Sequence, residues 1–131
     1  MSLFDSSHLE LRGPSTITNN DLNGLLVVNS SDADLRGNVQ IHTNTANGIL
    51  VSRNSNVAGN LVTGSSLSIV NNGASGVLAD DSSVWINNAT ITGNETDINA
   101  FFGARLTLNG NTIGSKACEP TVLFRGISSC P

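Results

Sequence analysis

The chain contains no tyrosine, and aromatic side chains make up only 4% of its 131 residues. That is lean for a surface that grips sugars or bases by stacking. Charge is equally sparse, at 12%, with a net charge of −4. The few Lys and Arg are scattered, so nothing gathers them to neutralise phosphates and nucleic acid is not an expected partner. No apolar run reaches the length of a membrane span, which excludes membrane insertion by a helix. The first residues, Met1-Ser2-Leu3-Phe4-Asp5, lack the basic and apolar regions of a secretory signal. They read as an abrupt start in mid-repeat, with upstream coils missing. Glycine-rich phosphate loops of the required form are absent, and only His8 and His42 are available as imidazole bases, so no nucleophile–base set stands out. Low charge accompanies disorder only when hydrophobicity is also low; here 38% of the residues are hydrophobic and regularly placed, so a folded chain is expected.

Cysteine is nearly absent too. Cys118 and Cys130 fall in the last 14 residues, too far apart for a CxxC redox motif and remote in sequence from both histidines, so no zinc site is assigned. They are either two free thiols or a disulfide pinning a C-terminal tail, and the second alternative implies an oxidising compartment.

What the chain does have is a repeat. Asn20, Asn44, Asn72 and Asn94 each stand three residues after an isoleucine, Ile17, Ile41, Ile69 and Ile91. Seven residues after the first three isoleucines comes a glycine, Gly24, Gly48 and Gly76; after Ile91 the equivalent position comes one residue early, at Asp97. A unit of about 22 to 28 residues therefore recurs along nearly the whole chain, the signature of a solenoid. Each unit holds three short segments of period-two alternation, separated by Gly, Asn, Ser and Asp. The expected fold is all-β: a right-handed parallel β-helix of about five coils, three short strands per coil, forming a single domain over residues 1–131. Stacked asparagine amides can bond from coil to coil as a ladder, and asparagine tolerates the left-handed backbone of a tight turn. The glycine column marks a bend where a Cβ is costly. Both columns are structural.

With segments such as Gly48-Ile49-Leu50-Val51 and Gly110-Asn111-Thr112-Ile113, residues 8–114 resemble the right-handed parallel β-helix repeat proteins of the broad pectate-lyase-like class. The resemblance implies the fold and leaves function open, since the class spans polysaccharide lyases, glycoside hydrolases, epimerases, phage tail proteins and adhesins. Its members usually have more coils and an N-terminal capping helix, and this chain has neither.

The outward positions carry the candidate chemistry. With Leu9, Leu11 and Leu35 inward, Glu10 and Arg12 fall beside Asp34 and Arg36 on adjacent coils, about 4.8 Å apart. They form either surface ion pairs or a small sugar site, the arginines gripping uronate carboxylates and the two carboxylates sharing a proton. Trp85, between core positions Val84 and Ile86, faces outward as a sugar platform or contact anchor unless a loop covers it. Phe101 and Phe102 sit at the next corner and are expected to plug the coil end. Asp80-Asp81, Glu95 and Asp97 are read as turn residues, and no metal or other cofactor is assigned. Twelve residues separate Val57 from Ile69, against seven or eight elsewhere, which places an insertion around residues 58–66 on one face. A threonine array of the ice-binding kind fails, because Gln40, His42 and Val70 interrupt it.

Lys116 stands where a fifth asparagine is expected, and Thr121-Val122-Leu123-Phe124 is assigned to the last strand of the fifth coil. Residues 115–131 then cap the open end, held by a Cys118–Cys130 bridge if one forms. The opposite, uncovered N-terminal coil invites self-association. In function the chain reads as an extracellular or cell-surface scaffold that binds polysaccharide or a surface glycan and is non-catalytic on its own. The alternatives are the C-terminal part of a lyase or hydrolase, and a multimeric adhesin or tail-fibre segment.

Overall fold

A computed structural model describes residues 1–60 and 62–126. Among the described residues seventeen strands, numbered in chain order, form three parallel sheets. The first sheet holds β1 (Ser2–Leu3), β4 (Leu25–Val27), β7 (Ile49–Ser52), β10 (Ser75–Asp80), β13 (Thr96–Phe101) and β16 (Lys116–Cys118). The second holds β2 (His8–Leu11), β5 (Asp32–Leu35), β8 (Asn56–Gly59), β11 (Ser83–Asn87), β14 (Arg105–Asn109) and β17 (Leu123–Arg125). The third holds β3 (Ser15–Thr18), β6 (Val39–His42), β9 (Leu67–Val70), β12 (Thr90–Thr92) and β15 (Thr112–Ile113). Each strand pairs with its counterpart one coil away, so the chain is a parallel β-solenoid of about five turns with three strands per coil. Among the described residues there is no helix, and hence none long and apolar enough to cross a membrane.

Alternation along each strand sends every second side chain inward. The inward residues stack in columns: Leu25, Ile49, Val77 and Ile98 in the first sheet, Val84 and Leu106 in the second, Ile17, Ile41, Ile69 and Ile91 in the third. All are buried. One like-on-like core therefore runs the length of the stack, and each coil seals the one before it.

The asparagine ladder forms at the corner between the third and first sheets. Asn20 Nδ2 donates to Asn44 Oδ1 at 2.7 Å, Asn44 Nδ2 to Asn72 Oδ1 at 2.9 Å, and Asn72 Nδ2 to Asn94 Oδ1 at 2.9 Å. The backbone N–H of each donor residue reaches the same oxygen. The left-handed backbone at this corner belongs not to the ladder residues but to the residue before each: Asn19, Thr43, Asn71 and Gly93 all have positive φ. The glycine column is part of the same device. A Cβ on Gly24 would lie 2.7 Å from Asn44 Nδ2, on Gly48 2.8 Å from Asn72 Nδ2, and on Gly76 2.7 Å from Asn94 Nδ2. Each glycine thus clears the space that the next coil's amide fills.

At the fourth coil the two departures from the repeat are one substitution. Asp97 takes the glycine position and is 2% exposed. Its own carboxylate ends the ladder, with Oδ1 accepting from Asn94 N at 3.1 Å and Nδ2 at 2.9 Å. Oδ2 accepts from Ser115 N at 2.7 Å. No asparagine is needed in the next coil, because the preceding coil supplies the acceptor. Lys116 accordingly lies not in the asparagine column but in β16, beside Ile98.

A second ladder runs along the same corner, from Ser75 N to Asn47 Oδ1 and from Asn47 Nδ2 to Asn23 Oδ1. At the corner between the first and second sheets, the backbone amides of Ser7, Ser31 and Ser55 donate to the hydroxyls of Ser31, Ser55 and Ser82. The last residues depart from expectation in register. β16 supplies the first-sheet strand of the fifth coil, so Leu123–Arg125 opens a sixth turn against β14 instead of closing the fifth.

Candidate functional site

The outer face of the second sheet carries the side chains expected to act. Parallel register places Glu10, Asp34, Ala58, Trp85, Thr107 and Arg125 in one outward column. A neighbouring column runs through Ser83, Arg105 and Leu123. Ala58, between Asp34 and Trp85, divides the face into two chemically distinct ends.

At the N-terminal end the four expected residues do come together. Arg12 Nη2 lies 2.7 Å from Glu10 Oε2, and Arg36 Nε lies 2.6 Å from Asp34 Oδ2 and 3.3 Å from Glu10 Oε1. The stronger contacts are local, between residues i and i+2 with each arginine one residue past the end of its strand, and Arg36 bridges the coils. The hydrogen bond from Arg12 holds the Glu10 carboxyl below its ordinary range; the charges of Arg12, Arg36 and His8 add to this, and partial desolvation opposes it. In return the Arg12 guanidinium is held above its usual value. Glu10 Oε1 and Asp34 Oδ1 are shielded from solvent and have no hydrogen-bond partner. Both arginines are thus committed to carboxylates, and a carboxyl held ionised is a poor proton donor.

The C-terminal end is different. Trp85 is 51% exposed while Val84 and Ile86 are buried beneath it. Its ring forms one side of a groove of about 540 Å³, lined also by Ser83, Thr107, Arg105, Leu123 and Arg125. The indole Nε1 donates to Asn87 Oδ1 at 3.2 Å, which fixes the rim of the ring. No carboxylate of a described residue lies within ion-pair distance of Arg105 or Arg125. The groove therefore combines an aromatic face, two hydroxyl side chains and two guanidinium groups that are unpaired among the described residues.

Arg105 and Arg125 were not singled out by sequence. Arg105 had a signal, since inward Leu106 and Leu108 force it outward on the same side as Thr107. Arg125 had none once residues 121–124 were assigned to the wrong sheet.

The remaining expected residues are dispersed. Asp97 is turned inward onto Asn94 and Ser115, so it is not a surface carboxylate beside Glu95. Among the described residues no three His, Cys, Asp or Glu side chains gather in a metal-binding arrangement. Phe101 and Phe102 lie with ring centroids 6.4 Å apart and planes tilted by 44°, with Phe102 exposed at 67% and not plugging the coil. The insertion projects between β8 and β9, and Val62–Ser65 form a cleft with Arg12, Gly13, Arg36 and Gly37. It thus lies beside the N-terminal ion-pair cluster. Cys118 ends β16; the pairing expected with Cys130 falls outside the described residues.

No family model, curated protein or solved structure matches this chain. Its assignment rests on its own geometry. The chain is a parallel β-solenoid.

Proposed function

We propose that this solenoid is a non-catalytic scaffold that binds acidic polysaccharide or an acidic surface glycan outside the cell, through the groove around Trp85. The observation that carries this reading is the juxtaposition of a half-exposed tryptophan with Arg105 and Arg125, neither of them ion-paired among the described residues. A pyranose ring presents an apolar C–H face that stacks on an indole. Guanidinium groups pair with carboxylate or sulfate through planar, two-pronged hydrogen bonds. Thr107 stands between Trp85 and Arg125 in the same column and offers a hydroxyl to a sugar.

The Glu10–Asp34 pair supports a hydrolase or lyase reading less well. Its carboxylates face arginines just past the ends of the same two strands, and Glu10 is held ionised.

Co-elution on a sizing column with light scattering tests the proposal. The intact chain is expected to migrate with an acidic polysaccharide without shortening it. Trp85→Ala should weaken binding by at least about tenfold, the usual effect of removing a central aromatic anchor. Shortening of the polymer, or binding unaffected by Trp85→Ala and Arg105→Gln, overturns it.

A further inference from the structure

The chain contains four Asn-Gly pairs: Asn23–Gly24, Asn47–Gly48, Asn72–Gly73 and Asn109–Gly110. This dipeptide is the one most prone to cyclise. The glycine nitrogen, unhindered by a side chain, attacks the asparagine Cγ; a C–N bond forms, ammonia leaves, and water then opens the succinimide to aspartate or isoaspartate. The reaction needs a glycine N–H released from the hydrogen-bond ladder and an amide free to turn towards it.

In three of the four pairs the solenoid withholds both. Gly24 N donates to Asn47 O, Gly48 N to Ser75 O and Gly73 N to Asn44 O, each at 2.9 Å. Their asparagines are rungs: Asn23 Oδ1 accepts from Asn47, Asn47 Oδ1 from Ser75, and Asn72 bonds both adjacent coils. Asn109–Gly110 is the exception. Both residues are exposed, and Gly110 N has no hydrogen-bond partner among the described residues. The side chain of Asn109 makes one bond, from Nδ2 to Asn87 Oδ1 at 3.0 Å.

We propose that Asn109–Gly110 is a deamidation site, and that its conversion detaches the Trp85 indole from its anchor. Asn87 Oδ1 accepts from both Asn109 Nδ2 and Trp85 Nε1. A carboxylate at residue 109 has no hydrogen to donate and faces that oxygen as a second acceptor. Asn87 answers by turning its amide, which presents Nδ2 to the new carboxylate and leaves the indole N–H facing a donor. The new charge also stands near the groove that holds Arg105 and Arg125. Resting on the acidic-glycan reading, this makes the unmodified chain the better binder, whereas the chemistry and its effect on Trp85 are independent of any ligand.

The test is mild alkaline incubation of the folded chain, followed by peptide mapping with mass detection and by the emission of its single tryptophan. Asn109 is expected to deamidate at least about tenfold faster than the other three asparagines, the protection that even modest local opening energies give to locked amides. The emission maximum should move in step, and Asn109→Asp should reproduce the endpoint without incubation. Equal rates at Asn23, Asn47 or Asn72, or an intact Asn109, overturn the site. Unchanged emission in Asn109→Asp overturns its link to Trp85. Loss of glycan binding by Trp85→Ala with no deamidation at Asn109 separates failure here from failure of the functional reading.

Discussion

Thr43 carries a backbone conformation poorly suited to its side chain. Its φ is 56°, and its equivalents in the same column are Asn19, Asn71 and Gly93. A β-branched residue in the left-handed region is strained by about 1–2 kcal/mol, where asparagine is tolerated and glycine is free. Thr43→Asn should therefore raise the denaturation midpoint, with a gain of about 1 kcal/mol, and urea unfolding of the two chains measures it. Glu10 makes a second prediction. Its carboxyl is held low in the fold by Arg12, so its contribution is complete above the ordinary carboxylate range and is lost as pH falls through the lowered value. Glu10→Gln should flatten the acid side of the stability profile by lowering the plateau above the carboxylate range while leaving the acid end unchanged, as denaturant titrations across that range will show. The columns themselves were legible from residue spacing: the ladder asparagines, the glycines and the outward Trp85 all follow from counting. The strain at Thr43 was not, because the ladder asparagines were taken to supply the left-handed turn, and spacing does not reveal which of two adjacent corner residues carries it.

Coil-to-coil stacking ties the asparagine and glycine columns into one unit. Asn72 is buried, bonds Asn44 on one side and Asn94 on the other, and fills the space above Gly48. Asn72→Ala removes the acceptor of Asn44 N and Nδ2 and one of the two donors to Asn94 Oδ1, and should cost about 3 kcal/mol. Gly48→Ala should cost about 1–3 kcal/mol by overpacking, since its Cβ meets Gly76 O at 2.7 Å as well as the Asn72 amide. The two are coupled: with Asn72 removed, part of the clash disappears, so Gly48→Ala should be milder in the Asn72→Ala background. Additive losses would separate the columns again. The strand assignments of the first four coils could be read from alternation and isoleucine spacing. The fifth could not, because Asp97 replaces a ladder residue from the coil above and removes the asparagine that marks the register. With that marker gone, β17 was placed one sheet away from its position, and Arg125 was lost from view with it.

Taken whole, the molecule spreads few charges over a long, uniformly cored stack and places two arginines that are unpaired among the described residues, Arg105 and Arg125, at one end of one face. Net charge is −4, yet the surroundings of Trp85 carry Arg105 and Arg125. The sequence marks both ends of that face, with Glu10, Arg12, Asp34 and Arg36 as ion pairs or a small sugar site in adjacent coils and Trp85 as an outward platform, but not the arginines beside Trp85. The structure brings those four together as ion pairs, with Glu10 Oε1 and Asp34 Oδ1 left without a hydrogen-bond partner. The two arginines of that face with no ion pair among the described residues, Arg105 and Arg125, lie three and four coils beyond Asp34, where no repeat of residue type announces them. Because Trp85 is the single tryptophan, its emission reports directly on the groove. The deciding measurement is a titration of that emission with an acidic polysaccharide and with its neutral, esterified counterpart, at low and high salt. A saturable change with the acidic polymer, weakened by salt and by Arg105→Gln and faint with the neutral one, is expected, since exposed charge pairs are screened. Equal responses to both polymers, or none to either, would contradict the assignment of the Trp85 groove to an acidic glycan.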